Sequence, residues 1–262
     1  MTTATLTPQE GVHLRLGGVI GGEWKKMWSV KSTWIIYLIA AAFALTFAGI
    51  TAHTYNDGQM AMWDNPMSLI LGPVSIASIL IAILAILTVT GEYGTGSIRP
   101  TMTAVPGRLP VVFAKAAVNA VVVFVFFALV SLVMFYVFTT MTSGTDIGAL
   151  SLRDDQVLST LFHYSVASAY YALLGVALGF LLRNTAGAIT FFVAVVMILP
   201  DLARLLPWEW VDTAMNYAPA QLVGPLQGFE SDVSMGAAYL GIAAWLIVAF
   251  GFAGLVVKQR DV

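Results

Sequence analysis

Long apolar segments dominate this chain. Between Thr33 and Val257 the sequence contains six of them, and none includes an aspartate, glutamate, lysine or arginine. A helix needs about 20 apolar residues to cross the hydrocarbon core of a bilayer, where it satisfies its own backbone polar groups. The pattern therefore predicts an all-α integral membrane protein with one transmembrane domain over residues 1–262. The predicted spans are residues 33–52, 67–90, 116–141, 158–182, 186–200 and 233–257.

A short amphipathic stretch precedes the first span. Its tryptophan, methionine and lysine residues recur at i, i+3, i+4 and i+7, which is the spacing of one helix face. Such a stretch is typical of a helix that lies in the membrane interface. The alternative is an ordinary aromatic and basic flank of the first span. The residues of the predicted interfacial helix are Trp24, Lys25, Lys26, Met27 and Trp28.

A second unusual stretch separates the fifth and sixth spans. Residues 201–232 carry many leucine, tryptophan and tyrosine side chains, and the stretch is interrupted by Pro207, Pro219 and Pro225. A loop in water would not expose so many apolar groups. Short helices that dip into the outer leaflet fit this composition better, because aromatic residues favour the interface.

The charges are sorted between the two sides of the predicted bundle. Ten of the twelve basic residues fall before the first span or after the second, fourth and sixth spans, and only Arg153 and Arg204 fall on the other side. Short loops rich in lysine and arginine stay in the cytoplasm, so both termini are predicted to be cytoplasmic. The acidic residues predicted to lie outside are Asp57, Asp64, Asp146, Asp154, Asp155, Asp201, Glu209, Asp212, Glu230 and Asp232.

Composition agrees with this interpretation. The chain is 59% hydrophobic and 10% charged, which is far more apolar than a soluble domain of this length. It contains no cysteine, so disulfides, thiolate metal sites and a cysteine nucleophile are excluded. Within the fourth span, Gly175 and Gly179 form a small-xxx-small pair that lets another helix approach closely.

The loop after the second span is the most distinctive part of the sequence. Residues 91–110 include Gly91, Gly94 and Gly96, which are expected to loosen the end of the second helix, and Pro100 and Pro106, which limit any helix that follows. We expect a short, structured elbow that presents Glu92, Arg99 and Arg108. The alternative is a positively charged cytoplasmic loop with turn residues and no further role.

This loop resembles the signature of type-2 ATP-binding cassette (ABC) exporter permeases. The resemblance consists of an acidic residue at the end of the second span, a Gly-Thr pair, an Ile-Arg pair and a later arginine and lysine. Pro100, directly after Arg99, departs from the pattern and limits the length of a helix there. The matching residues, which the resemblance implies form the ATPase-coupling loop, are Glu92, Gly94, Thr95, Ile98, Arg99, Arg108 and Lys115.

The resemblance implies a permease subunit of a bacterial-type plasma membrane. Two permeases, either two copies of this chain or this chain and a homologous one, would form the translocation path. Two separate cytoplasmic ATPase subunits would bind MgATP and dock against the elbow. The sequence itself contains no Gly-x-x-x-x-Gly-Lys-Ser/Thr motif, so no ATP hydrolysis by that chemistry is expected in this chain. No resident cofactor, metal or nucleic-acid partner is expected either.

Three other functions are compatible with parts of the pattern. An ion-coupled secondary transporter usually carries ionisable groups within its spans, and here His163 is the only such candidate. An intramembrane enzyme would need metal ligands or a general base, and no such spacing is present. A non-transporting immunity or sensor protein would share the same span pattern. With uncharged spans, transported cargo is expected to be hydrophobic or amphipathic, such as a drug, a lipid or an antimicrobial peptide.

Overall fold

The computed structural model describes residues 16–57 and 65–259, and all the regular structure within these ranges is helical. Six helices there are long and apolar enough to span a membrane, so the predicted all-α, six-span pattern is confirmed. The helices are α1 (Leu16–Ser29), α2 (Lys31–Asn56), α3 (Pro66–Thr95), α4 (Ile98–Ala104), α5 (Leu109–Met141), α6 (Val157–Leu182), α7 (Thr185–Phe191), α8 (Leu199–Ala203), α9 (Glu209–Met215) and α10 (Met235–Gln259).

Two span boundaries differ from the predicted ones by five residues or more. The second span continues through Gly91 and Gly94, so the prediction that these glycines loosen the helix was wrong. A glycine inside a helix costs only about 1 kcal/mol, which packing can offset. The helix ends instead at Gly96, which adopts the left-handed conformation (φ 73°) that a Cβ would disfavour. The third span begins at Leu109 rather than at residue 116, so Lys115 lies within a helix.

The fifth span is not a uniform α-helix. Residues 185–203 form α7, a π-helical segment over Phe192–Ile198, and α8. This wider segment comes directly before Leu199 and Pro200. A proline cannot donate to the carbonyl group four residues earlier, which is that of Val196, and its ring would crowd that group in a regular helix. The π-helical turn is a recognised way to interrupt the regular ladder.

The two most enclosed spans are α3 and α6. In their most apolar windows 67% and 72% of the residues are buried, against 22% for the fifth span and for α10. Close approach of α6 to α3 depends on Gly175 and Gly179. A Cβ at Gly175 would lie 2.5 Å from the backbone oxygen of Ala82, and a Cβ at Gly179 would lie 2.7 Å from the Cβ of Val89.

The stretch between the fifth and sixth spans contains α9 and two 3-10 turns, at Gln221–Val223 and Pro225–Gln227. Leu222 is buried in the bundle core. Other large apolar side chains are exposed, namely those of Leu202, Leu205, Leu206, Trp208, Trp210 and Tyr217. Three residues used in the charge pattern, Arg15, Asp64 and Arg260, lie outside the described ranges, as do both chain termini.

Candidate functional site

Four helices meet at the end of the bundle where the second span gives way to the elbow. The end of α3 supplies Glu92, the second turn of α5 supplies Lys115, and α1 supplies Glu23 and Lys26. We refer to these four residues as the charge cluster. Thr101 of α4 contacts it as well. The cluster holds two carboxylates and two ammonium groups, so its formal charge is balanced.

The contacts within the charge cluster are direct. Lys115 Nζ lies 2.5 Å from Glu23 Oε2 and 2.8 Å from Glu92 Oε1. Lys26 Nζ lies 2.8 Å from Glu23 Oε1 and 3.3 Å from Glu92 Oε1. It also donates to Thr101 Oγ1 at 3.0 Å. Each lysine therefore bridges both carboxylates, and the set joins α1, α3, α4 and α5.

The ion pairs of the charge cluster are largely shielded from water. The side chains of Glu23 and Lys115 are each 4% exposed, and that of Glu92 is 14% exposed. Burial by itself would raise the pKa of Glu23, but Lys115 and Lys26 together hold the pKa of that carboxyl below its ordinary value. Removing one partner from such a set leaves an uncompensated buried charge.

A cleft of about 350 Å³ opens beside the charge cluster. It is lined by residues of α1, α2, α3 and α5, including hydroxyl groups at Thr33 and Thr88 and the amide of Asn119. The amide nitrogen of Asn119 donates to the backbone oxygen of Lys115 at 2.9 Å, one turn earlier in α5. The cleft is therefore polar at the charge cluster and apolar along the adjoining helix faces.

The elbow forms a short helix, α4, with two distinct faces. Ile98 and Met102 are buried against the bundle, while Arg99 and Thr103 are exposed on the other face. Pro100 falls in the first turn, where its missing N–H is not needed, and the helix ends at Ala104 before Pro106. The expected short, structured elbow is present, and α4 is only seven residues long.

Arg108, also part of the elbow, contacts the last helix. Its Nη1 donates to the backbone oxygen of Val257 at 3.1 Å. Arg183, at the end of α6, donates from Nη2 to the oxygen of Val256 at 3.0 Å, and its guanidinium lies 5.0 Å from the ring centre of Tyr93. Two arginines therefore satisfy carbonyl groups at the end of α10, which is a favourable place for positive charge.

The seven residues that the resemblance assigns to ATPase coupling fall into separate groups. Gly94 and Thr95 lie in the last turn of α3, and Ile98 is on the buried face of α4. Glu92, expected to be presented to a partner, instead contacts Lys26 and Lys115 of the same chain. Lys115 also contacts Glu23. Arg108 is bound to α10. Of the charged members, Arg99 is the one on an exposed face.

Sequence reasoning missed Glu23. Glu23 directly precedes the predicted interfacial helix, whose pattern is dominated by tryptophan and lysine residues. The available signal was a single acidic residue at i, i+3 spacing from Lys26, a pairing that helices favour. Within that helix Trp24 and Lys25 are exposed and Met27 is buried, so α1 has one face on the bundle and one face away from it.

No metal site is evident in the described parts of the chain, where no three histidine, aspartate or glutamate side chains are grouped suitably. His163 packs near Tyr239, with ring centres 6.0 Å apart.

No protein-family model matches this chain, and no curated protein is significantly similar to it.

Proposed function

We propose that this chain is the permease subunit of a type-2 ABC exporter. The observation that carries the proposal is the arrangement of α4, which presents Arg99 and Thr103 outward while its other face rests on the bundle. The charge cluster ties this helix to α1, α3 and α5 through Thr101 and Lys26. A partner that pushed on α4 would therefore act on two spans and on α1 together.

The membrane arrangement follows from the sorting of charge. The charge cluster and α4 are placed on the cytoplasmic side, together with both termini, because nearly all the basic residues fall there. In this arrangement α1 lies in the inner interface, with Trp24 exposed toward lipid head groups. The exposed leucine and tryptophan side chains between the fifth and sixth spans then lie in the outer leaflet.

ATP hydrolysis by separate subunits would supply the energy for transport. Two cytoplasmic ATPase subunits would bind MgATP and dock on α4, and a second permease would complete the translocation path. The exposed side chains of the spans are mostly apolar, among them those of Leu38, Leu129 and Leu240. This surface favours hydrophobic or amphipathic cargo, for which a drug, a lipid and an antimicrobial peptide are the candidate classes.

The orientation can be tested by labelling single cysteines, since the chain has none of its own. Ser97, beside α4, and Ser231, before α10, are both exposed. An impermeant maleimide added to intact cells should label Ser231→Cys and not Ser97→Cys, and in inverted vesicles the pattern should reverse. Labelling of both from the same side would contradict the proposed topology.

The coupling function can be tested with Arg99→Ala. When the tagged chain is purified from its native membrane in mild detergent, we expect an ABC ATPase to copurify with it. The MgATP hydrolysis of that ATPase should be sensitive to vanadate. Truncating a charge that becomes buried on docking weakens an interface by about 2 kcal/mol or more, roughly 30-fold in affinity. The measurement is ATPase recovery and hydrolysis rate, and both should fall in the variant while its thermal stability is unchanged.

Arg153→Ala is the matched control for this test, because Arg153 is also exposed but lies at the opposite end of the bundle. It should leave ATPase recovery and hydrolysis unchanged. An isolated chain that transports cargo without any ATPase would contradict the proposal. So would an Arg99→Ala variant with unaltered hydrolysis and transport.

A further inference from the structure

The cleft beside the charge cluster has a long apolar wall as well as its polar end. It is bounded by α1, α2, α3 and α5, and its volume of about 350 Å³ falls within the range of small-molecule sites. Leu87, on the wall formed by α3, is 36% exposed, whereas Leu84, one turn earlier, is 5% exposed. The apolar side chains that line the cleft are those of Met27, Val30, Leu84, Leu87 and Val118.

Two buried polar side chains line the same cleft with unpaired oxygens. Thr33 of α2 is 2% exposed and Asn119 of α5 is 3% exposed. Asn119 uses its amide nitrogen on the backbone oxygen of Lys115, but its Oδ1 has no hydrogen-bond partner among the described residues, and neither has Thr33 Oγ1. Neither oxygen is sealed inside the protein, so each is open to the cleft. Because polar groups at buried positions are nearly always paired, these oxygens indicate a polar group bound in the cleft.

The bound group must be able to donate a hydrogen bond. Asn119 Oδ1 can only accept one, whereas the hydroxyl of Thr33 can donate or accept. A carboxylate, an ionised phosphate or an ester oxygen has no hydrogen to donate to Asn119. A ligand hydroxyl group satisfies both residues, since it donates to Asn119 and accepts from Thr33.

The charge cluster favours a ligand without net charge. Its four side chains also line the cleft, and each lysine is already paired with both carboxylates. A charged ligand would add an uncompensated charge beside these pairs or would have to break one of them, and both are costly at a largely buried site. A neutral head group with hydroxyls has neither cost.

The position of the cleft indicates what the rest of the ligand is. In the membrane arrangement proposed above, α1 lies in the inner interface, so the cleft lies where lipid head groups join acyl chains. We infer that the cleft binds an acylglycerol of the inner leaflet, a neutral lipid with a free hydroxyl group. Its hydroxyl bridges Asn119 Oδ1 and Thr33 Oγ1, and its acyl chain lies along the apolar wall. The inference takes the membrane level from the proposed function and goes beyond it, because binding here requires no ATPase.

The test uses a monoacylglycerol whose acyl chain carries a photoreactive diazirine. It is added to the full chain in phosphatidylcholine nanodiscs without ATP or any ATPase. Illumination should label the chain saturably, and mass spectrometry should locate the label on the parts of α3 and α5 that line the cleft. No saturable labelling, or a label confined to other helices, would overturn the inference. Since no ATPase takes part, this result is independent of the coupling test with Arg99→Ala.

Competitors with one common acyl chain test how the head group is recognised. Unlabelled 1-oleoylglycerol should compete with the probe. Methyl oleate, which has no hydroxyl group, and 1-oleoylglycerol 3-phosphate, which keeps a hydroxyl but adds charge, should each compete at least tenfold more weakly. Equal competition by methyl oleate would mean that the chain alone is held, and equal competition by the phosphate would mean that charge is tolerated. Either result would overturn the inference.

Substitutions locate the binding. Thr33→Val removes the hydroxyl at nearly constant volume and should raise the probe concentration for half-maximal labelling by about threefold or more, as expected for one neutral hydrogen bond, while Thr33→Ser should label like the parent. Asn119→Leu should have a similar effect, and the Thr33 pair decides if that variant does not fold. Thr139→Val, a buried threonine outside the cleft, is the control. Equal labelling of Thr33→Val and the parent, or equal weakening by Thr139→Val, would contradict the assignment.

Discussion

Replacing Lys115 by methionine should lower the free energy of unfolding by about 3–5 kcal/mol, the cost of breaking a buried ion pair by removing one partner. The lysine is almost fully buried and bridges Glu23 and Glu92. Methionine keeps most of the volume of the side chain but leaves two carboxylates with Lys26 as their single cationic partner. The loss is measured by SDS-induced unfolding of the purified chain and by its melting temperature in detergent.

Lys25→Met is the matched control, because Lys25 is exposed on α1 beside the cluster. It should change stability by less than about 0.5 kcal/mol, as is usual for surface substitutions. The double variant Glu23→Gln with Lys115→Met restores charge balance and leaves the Lys26–Glu92 pair in place. It should therefore be more stable than Lys115→Met alone. A double variant that is less stable than the single one would contradict the view that an unbalanced buried charge causes the loss.

The second large effect is expected where α6 meets α3. Gly175→Ala places a Cβ 2.5 Å from the Ala82 oxygen, and Gly179→Ala places one 2.7 Å from the Val89 Cβ. Because a backbone oxygen cannot rotate away, the two helices must separate at Gly175. Overpacking of this kind costs about 1–3 kcal/mol, occasionally more. The measurement is again the free energy of unfolding, with each variant compared separately.

Gly72→Ala in α3 and Gly251→Ala in α10 are the controls for the glycine pair. A Cβ at either position meets no atom within 4 Å. Alanine favours the helix by up to about 1 kcal/mol over glycine, so these variants should be neutral or slightly stabilised. Equal destabilisation by all four substitutions would show that close helix approach is not what Gly175 and Gly179 provide.

The charge cluster changes how the elbow is understood. From the sequence, Glu92, Arg99 and Arg108 looked like a set of surface charges available to a partner. In the structure Glu92 belongs to the cluster, Arg108 satisfies a carbonyl at the end of α10, and Arg99 remains on the exposed face of α4. Glu92→Ala is therefore expected to affect stability, whereas Arg99→Ala isolates an effect on docking.

The number and the approximate limits of the six spans could be predicted from the amino-acid sequence. Membrane helices must be long and apolar to cover about 30 Å of hydrocarbon, and a run of consecutive apolar residues is visible in the sequence. Three other features could be predicted because each depends on local composition. They are the charge pattern of the loops, the structured elbow after the second span and the exposed aromatic residues of 201–232. The exact helix ends were harder to predict from the sequence, because Gly91 and Gly94 are compatible with either a frayed or a continuous helix.

Which helices contact one another at the charge cluster depends on the packing of the whole bundle. Glu23 and Lys115 are separated in the sequence by two spans, and no local pattern indicates that their side chains form an ion pair, with Nζ and Oε2 2.5 Å apart. The same holds for Gln227, whose side-chain oxygen accepts a hydrogen bond from Ser75 of α3 at 3.0 Å. Burial of a polar group and the identity of its partner depend on the packing of distant segments, so the tertiary structure, and not the local sequence, shows which charges are paired and which face a partner.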